Sequence, residues 1–528
     1  PPGQGNGWEP YPTSLRIVNW AKWLLREEGK EASLPSSSLA TQARWLRKRL
    51  EHHLLGNHLF ANAKALIFAG AFFEGAEAEC WLALGQRLLR RELNEQILAD
   101  GGHFERSPMY HAILLEDVLD VLNLAGVYPG VLDDALLALC RVKAVAMLDW
   151  LAAMTHPDGE ISFFNDAAFG IAPTLADLGA YAEQLGIGAR ADSGGYASLD
   201  PAYMSESGGY ASLDPPYAST TSVIPAGKPE SRAGIATLPL PNALELYASP
   251  PSLALGPVFP AGTTDVECRW LRDSGYVRLQ AGPAVALLDC APIGPDYLPG
   301  HAHADTLSFE LSLFGQRVIV NGGTSRYGSG PERLAERGTA AHSTVQVDGA
   351  ESSEVWGGFR VARRARPFDV RVRDAKARFC TEPGFEPPAP ALQVSAAHDG
   401  YSRLPGRPVH RRDWLLTEDR LRVTDRVEGE VRSAVARFHL HPAIEARVFG
   451  KHQGPEGVTW TGTFQLPDGV ILNWQATGGT ATLTPDQWHP EFGRSLPSQC
   501  LEIELTDSEC IFEIRWAFTT PEPCRDVS

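Results

Sequence analysis

The spacing of apolar residues changes once along this chain, from a period near 3.6 to a period of 2, and that switch restricts the folds open to it. From about Ser14 to Leu185 the apolar positions recur three and four apart in blocks of helical length: "SLRIVNWAKWLLREEG", "LATQARWLRKRLEHHLL", "HLFANAKALIFAGAFF", "AEAECWLALGQRLLRRELNEQIL", "SPMYHAILLEDVLDVLNLAG" and "VLDDALLALCRVKAVAMLDWLAAM". Short Gly, Pro or Ser breaks separate them, which predicts an array of antiparallel helices. From about Ile235 the alternation is strict in "YVRLQAG", "AVALLDC", "TLSFELSLFGQRVIVNGG", "DWLLTEDRLRVTD", "SAVARFHLHP" and "LEIELTD". Many short strands with frequent turn signals predict antiparallel sheets packed face to face. Between the halves, SGGYASLDP occurs at Ser193 to Pro201 and again at Ser207 to Pro215, in a stretch rich in Gly, Ser, Pro and Tyr. Two copies are too few for a solenoid, so the stretch reads as a connection or lid. The expected boundaries are 1–190 for the helical part, 191–234 for the connection and 235–528 for the sandwich.

A chain of 528 residues, 44% of them hydrophobic, has material for several cores. It contains no uninterrupted apolar run of about 18 residues, so no membrane span is expected. A formal charge of -17 argues against general nucleic-acid binding, which needs clustered cations to displace counterions. A polyanionic substrate would therefore need a local basic cleft, for which "RWLRKRL", "RVARRAR" and "GRPVHRR" are candidates. The eight cysteines are scattered without a CxxC pair and fix neither a zinc ribbon nor a redox compartment.

Three stretches concentrate chemistry. In "GNHLFANAKALIFAG", Asn57 and His58 open an otherwise apolar helix, and taken alone the amide reads first as an N-cap. In "DGGHFERSPMYHAILL", Ser107 caps a helix with Pro108 at its first position. That puts Tyr110 and His111 in the first turn, just after His103, Glu105 and Arg106. In "LPGHAHADTLSFEL", His301, His303 and Asp305 alternate and share a face if the segment is extended. Imidazole beside carboxylate fixes a tautomer or holds a metal. His342, in "RGTAAHSTVQVDG", can return from another strand to meet His303 on one cation, with Asn321 or Asp305 as an oxygen ligand.

These motifs, in this order, resemble the heparinase II/III-like polysaccharide lyases. The resemblance runs from "GWEPYPTSLRIVNW" through the three stretches above and "GSGPERLAERGTAAHSTVQVDG" to "FHLHP". It implies an α+β multidomain architecture, an incomplete α/α toroid followed by an antiparallel β-sandwich, with further toroid helices ahead of the first residue. It also implies that Asn57 holds a uronate carboxylate, that Tyr110 is the proton-transferring phenol and that His301 is a second acid/base group. His58, Glu105, His111 and Arg16 are implied to contact substrate. A structural divalent metal, Zn2+, is implied at His303, Asn321 and His342, with the amide of Asn321 standing where the family usually has Asp.

The activity implied is β-elimination on an anionic, uronate-containing polysaccharide, with glycosaminoglycans ahead of alginate or a bacterial capsule. The proton beside a uronate carboxylate becomes acidic only if that carboxylate is neutralised, and Asn57 with His58 or His111 offers donors. A phenol ordinarily has a pKa of about 10, so Tyr110 is expected to be depressed if it acts as base. Two other readings remain open. A glycoside hydrolase needs paired carboxylates, for which Glu105, Asp158, Glu160 and Asp166 are available, and a non-catalytic sugar-binding or polymer-assembly protein needs none. A polymer substrate implies a periplasmic or secreted location.

Overall fold

A computed structural model describes residues 3–26, 33–187, 266–373, 391–454 and 457–517. The expected connection at 191–234, with its duplicated nonapeptide, and the expected start of the sandwich at 235 lie outside the described residues.

The N-terminal half holds α1 (Pro10–Arg26), α2 (Ser33–Arg47), α3 (Gly56–Phe72), α4 (Ala76–Gln96), α5 (Pro108–Val127), α6 (Asp134–Ala153) and α7 (Leu175–Gln184). The six helical blocks read from sequence correspond to α1 through α6. The second block ends earlier than its pattern, at Arg47, because the chain turns at Leu55 with φ 58 to enter α3. A further helix, α7, is stapled at its start by a capping box between Thr174 and Asp177. Helices α3 and α5 are apolar nearly all round and sit at the centre of the array. Glycines let α4 approach α3: a Cβ on Gly70 would lie 2.6 Å from the Leu82 backbone nitrogen. Buried charge knits the array as well. Lys64 on α3 pairs with Asp117 (2.6 Å) and Asp120 on α5, and Asp120 also takes Lys22 from α1 and the Tyr181 hydroxyl from α7.

The C-terminal half is antiparallel sheet. Strands β1 (Val266–Leu271), β2 (Tyr276–Ala281), β3 (Ala284–Asp289), β4 (Phe309–Leu313) and β5 (Gln316–Ile319) form a meander in chain order. An eight-stranded and a four-stranded sheet complete the stack over one shared core. The helix α8 (Pro331–Arg337), for which no apolar period gave warning, interrupts this half.

Every residue of β3 is buried. Ala284, Ala286 and Leu288 face the sandwich core, while Leu287 joins Trp150, Met154, Phe164 and Tyr276 in a second apolar cluster shared with the helices. Polar contacts reinforce that seam. Trp150 Nε1 donates to Ser274 Oγ, Arg317 grips Asp158, and buried His156 bonds both Glu310 and Ser312. Wide burial of this kind holds the two halves as one body and makes their boundary a defined place for chemistry.

Strand Val409–Leu416 shows period-2 burial, and its inward positions include His410 and Arg412 beside Trp414 and Leu416. Arg412 makes a two-pronged contact with Asp425 (2.6 and 2.8 Å) and donates to the carbonyls of Leu307 and Ser343; His410 bonds the same carboxylate at 2.7 Å. A guanidinium this deep is tolerable only with its counter-charge. Asp425→Ala should therefore cost about 3–5 kcal/mol, seen as a large fall in Tm by circular dichroism; a loss of under about 1 kcal/mol would contradict this account.

Candidate active site

The helical half contributes a tightly tied loop before α5. Backbone N–H of His103 donates to His111 Nδ1, and His111 Nε2 donates to the Met147 carbonyl. Arg106 adopts φ 60, which turns its carbonyl to receive Tyr276 Oη (2.7 Å) and Asn165 Nδ2 (3.0 Å). Ser107 Oγ accepts from Tyr110 N–H as the N-cap and donates to the Asp166 carbonyl. With Pro108 opening the helix, Tyr110 is fixed in the first turn of α5, facing the sandwich.

Opposite it lies His301. The two rings stack with centroids 3.9 Å apart and an interplanar angle of 30°. His301 Nδ1 contacts Asp166 Oδ2 at 2.9 Å, and His303 Nε2 contacts Asp166 Oδ1 at 2.8 Å. Asp305 turns to the same loop, accepting from Asn165 N–H at 2.9 Å. The alternation of His301, His303 and Asp305 thus does put three side chains on one face, although the segment is a turn-rich approach to β4 and not strand. The face meets the loop at 165–166. Asp166 is also gripped by both arms of the Arg333 guanidinium, from α8. His303, Asp305, Asp166 and Arg333 are buried and His301 is partly so, and the cations around Asp166 hold its carboxyl well below the usual range despite desolvation.

Tyr110 Oη lies 2.7 Å from Tyr327 Oη, and the Tyr327 ring sits under Arg333 at 5.0 Å. Burial, with the neighbouring Tyr327 and Asp166, pushes the Tyr110 phenol well above its ordinary value. This corrects the expectation that it is depressed: in the free chain Tyr110 is held as a proton donor. Glu105 is buried, and its Oε2 is 3.6 Å from His301 Nε2. Its carboxylate presses against the start of α3, where only a glycine at 56 leaves room for it. Burial raises the Glu105 pKa, while His301 and the Asn57 backbone N–H pull it down.

The first turn of α3 holds Asn57 and His58, with Leu55 at the cap position, so Asn57 is not an N-cap. Asn57 is 5% exposed; its backbone N–H bonds Glu105 beside His301, while its side chain bonds Tyr11. His58 is partly exposed, bonded to Glu51 at 3.0 Å and stacked on Tyr11. Two expected substrate contacts lie elsewhere. His111 is fully buried with both ring nitrogens engaged, so it braces the loop instead of lining the cleft. Arg16 is committed to Gln42, the Gly7 carbonyl and the Trp8 ring, none of which belongs to the Tyr110 cluster. Of the basic stretches, "GRPVHRR" buries Arg412 in the sandwich, and Arg44 of "RWLRKRL" pairs with Glu77; the one beginning at Arg360 abuts the site.

His303 Nδ1 and His342 Nε2 are 3.3 Å apart. Asn321 Oδ1 accepts from Ser343 N–H and its Nδ2 donates to Ser308 Oγ. No cluster of three His, Cys, Asp or Glu side chains with metal-binding geometry occurs among the described residues. His303 and His342 stand close enough to share a cation, and one lone pair of the Asn321 amide oxygen is taken by a backbone N–H.

Sequence reading overlooked Tyr327 and Arg333, and counted Asp166 only as a hydrolytic carboxylate. Asp166 is saturated by three cationic or imidazole partners and Asp158 is held by Arg317, which removes both from that role.

Comparison with known proteins agrees with this architecture. Residues 263–517 match the model described as Heparinase II/III-like, C-terminal, and residues 34–178 match Heparinase II/III N-terminus. A heparin-sulfate lyase from Bacteroides stercoris is 43% identical over 74 residues, 14% of this chain and 11% of that protein. FtsZ-localized protein C from Caulobacter vibrioides is 30% identical over 207 residues, 35% of this chain and 34% of that one. These alignments thus span about a tenth and a third of the curated relatives' own lengths. Among solved structures, a heparinase III superposes with TM-score 0.64 at 18% identity, covering 98% of this chain and 71% of its own. The heparan sulfate lyase HepC from Pedobacter heparinus gives 0.58 at 17%, covering 98% and 71%. At these identities the structural likeness shows the fold.

The buried imidazoles set a pH dependence. Burial lowers His111 and His303 to about 4, and lowers His103 and His342 well below 6.5. Between about pH 6.5 and 4 the unfolded chain binds protons that the folded chain refuses, so stability falls with acidification across that window. Tm measured by calorimetry should fall steadily from pH 7 to 4 with proton uptake on unfolding; a flat profile would contradict the buried neutral state.

Proposed function

Because this chain belongs to the heparinase II/III-like family, we propose that it is a polysaccharide lyase cleaving a uronate-containing polymer by β-elimination, with a glycosaminoglycan-type substrate ahead of alginate or capsule. The observation that carries this reading is the stack of Tyr110 on His301, with His301 oriented by a buried carboxylate. Asp166 engages Nδ1 of His301, which leaves Nε2, 3.6 Å from Glu105 Oε2, as the nitrogen that takes the proton. His301 then removes the proton at C5, the electron pair forms the C4–C5 double bond, and the C4–O bond breaks. Tyr110, held protonated by its surroundings, delivers its proton to the departing glycosidic oxygen. Asn57 and His58 at the start of α3 supply donors to the uronate carboxylate, where the helix N-terminus adds favourable potential.

Purified protein should convert a uronate polymer to products with a new ultraviolet absorbance, and Tyr110→Phe should lower turnover by about a hundredfold to ten-thousandfold at unchanged Tm. Shorter chains without absorbance would replace elimination by hydrolysis. Unchanged function in Tyr110→Phe would favour a non-catalytic binding protein. The same reading puts the protein with its polymer, in the periplasm or outside the cell.

We read the His303–His342 contact as a direct hydrogen bond that braces Asp166. Chelator treatment should then leave Tm and turnover unchanged, while His303→Ala lowers Tm. A chelator-induced fall in Tm that Zn2+ reverses would restore the cation.

A further inference from the structure

Next to the stacked pair, a hairpin formed by Glu354–Val355 and Val361–Ala362 carries two aromatic rings into solvent. Trp356 is 59% exposed and Phe359 is 42% exposed. Exposing that much ring surface is unfavourable, yet the turn bearing it is held rigidly. Arg337 Nη1 donates to the Gly357 carbonyl at 2.8 Å and Arg333 Nε to the Gly358 carbonyl at 3.2 Å. The backbone at Gly358 packs so closely on the Gly328 carbonyl that a side chain cannot fit. Below the turn, Val355 and Val361 pack on Ile293 and Ala302.

The two arginines that fix this turn also fix the catalytic segment. Arg337 donates twice to the carbonyl of Ala302, between His301 and His303, and Arg333 grips Asp166. Phe359 consequently lies 6.1 Å from the His301 ring and 5.4 Å from Tyr327. We propose that Trp356 and Phe359 form a stacking subsite for the sugar adjacent to the one that loses its proton. The occupant is argued from position and chemistry. A pyranose presents a face of C–H groups that packs on an aromatic ring, while its anionic groups project from the edge. Exposed Arg360, the next residue in the turn, is available to those groups. The inference rests on the lyase reading for the identity of the sugar.

The test compares wild type, Trp356→Ala, Phe359→Ala and Trp356→Phe, with Trp23→Ala as control because Trp23 is 50% exposed on α1. Elimination kinetics are followed on uronate oligosaccharides, and calorimetric binding of the same oligosaccharides is measured in a Tyr110→Phe background. Either alanine variant should raise KM and Kd about tenfold with kcat within about twofold and Tm unchanged, and Trp356→Phe should recover most of the loss. Unchanged KM and Kd in both alanine variants would overturn the subsite while persisting elimination keeps the lyase reading. Absence of elimination in wild type would overturn the lyase reading, with the binding arm still deciding the subsite: weaker binding in the alanine variants supports it, and equal or absent binding removes it.

Discussion

The carboxylate of Asp166 is the contact on which the rest of this site depends. It sits between α6 and α7 in the helical half, but its partners His301, His303 and Arg333 all come from the sandwich half. A buried carboxylate and a buried guanidinium are each prohibitive alone, and together they are acceptable only with near-ideal geometry and every remaining lone pair used. Here both conditions hold: Arg333 meets both oxygens, and each oxygen also meets an imidazole. The apolar seam around Trp150, Leu287 and Tyr276 brings the halves together with little directional preference. Asp166 adds direction, because four charged or polar groups from the two halves meet at that one point.

That arrangement also bears on the proposed acid and base roles. Bonded to Asp166 through Nδ1, His301 has its other nitrogen 3.6 Å from Glu105 Oε2. The negative charge of Asp166, with burial, keeps the proton on Tyr110. One carboxylate thus orients the imidazole and helps to keep the phenol protonated, and the two rings lie close enough to serve one sugar in the proposed reaction. Glu105 remains the unusual member of the group, a buried carboxylate 3.6 Å from His301 with no strong cation of its own.

Much of this was legible along the chain, and the missing parts share a cause. The change of period separates helices from strands because each period reports which face of an element is buried. The cap at Ser107 and Pro108 placed Tyr110 in a first turn, and alternation placed His301 and His303 on one face; both are local facts. What those faces meet is not local. His301 and Asp166 are 135 residues apart, and Arg333 and Asp166 are 167 apart. Spacing carries no trace of such pairings. For the same reason His111, adjacent to Tyr110, looked like a site residue: a helix turns each successive side chain by about 100°, and that rotation carries its imidazole onto Met147 and Trp150.

The charge of the chain bears on how a polyanion would be held. At -17 the molecule repels such a polymer from a distance, but at physiological ionic strength that repulsion is screened beyond about 8 Å. Inside that range local charge decides. Arg326 precedes Tyr327 and Arg360 follows Phe359, so cations enter the cleft wall on the same turns that carry its aromatic rings. Some of this charge is already tempered: Arg326 faces Glu332 at 3.7 Å, and Arg364 is tied to Asp296 at 3.1 Å. Under the proposed reading, capture would depend on ring contact and hydrogen bonding more than on a broad electrostatic field, and such a cleft would select for the shape and substitution of the sugar units instead of their total charge.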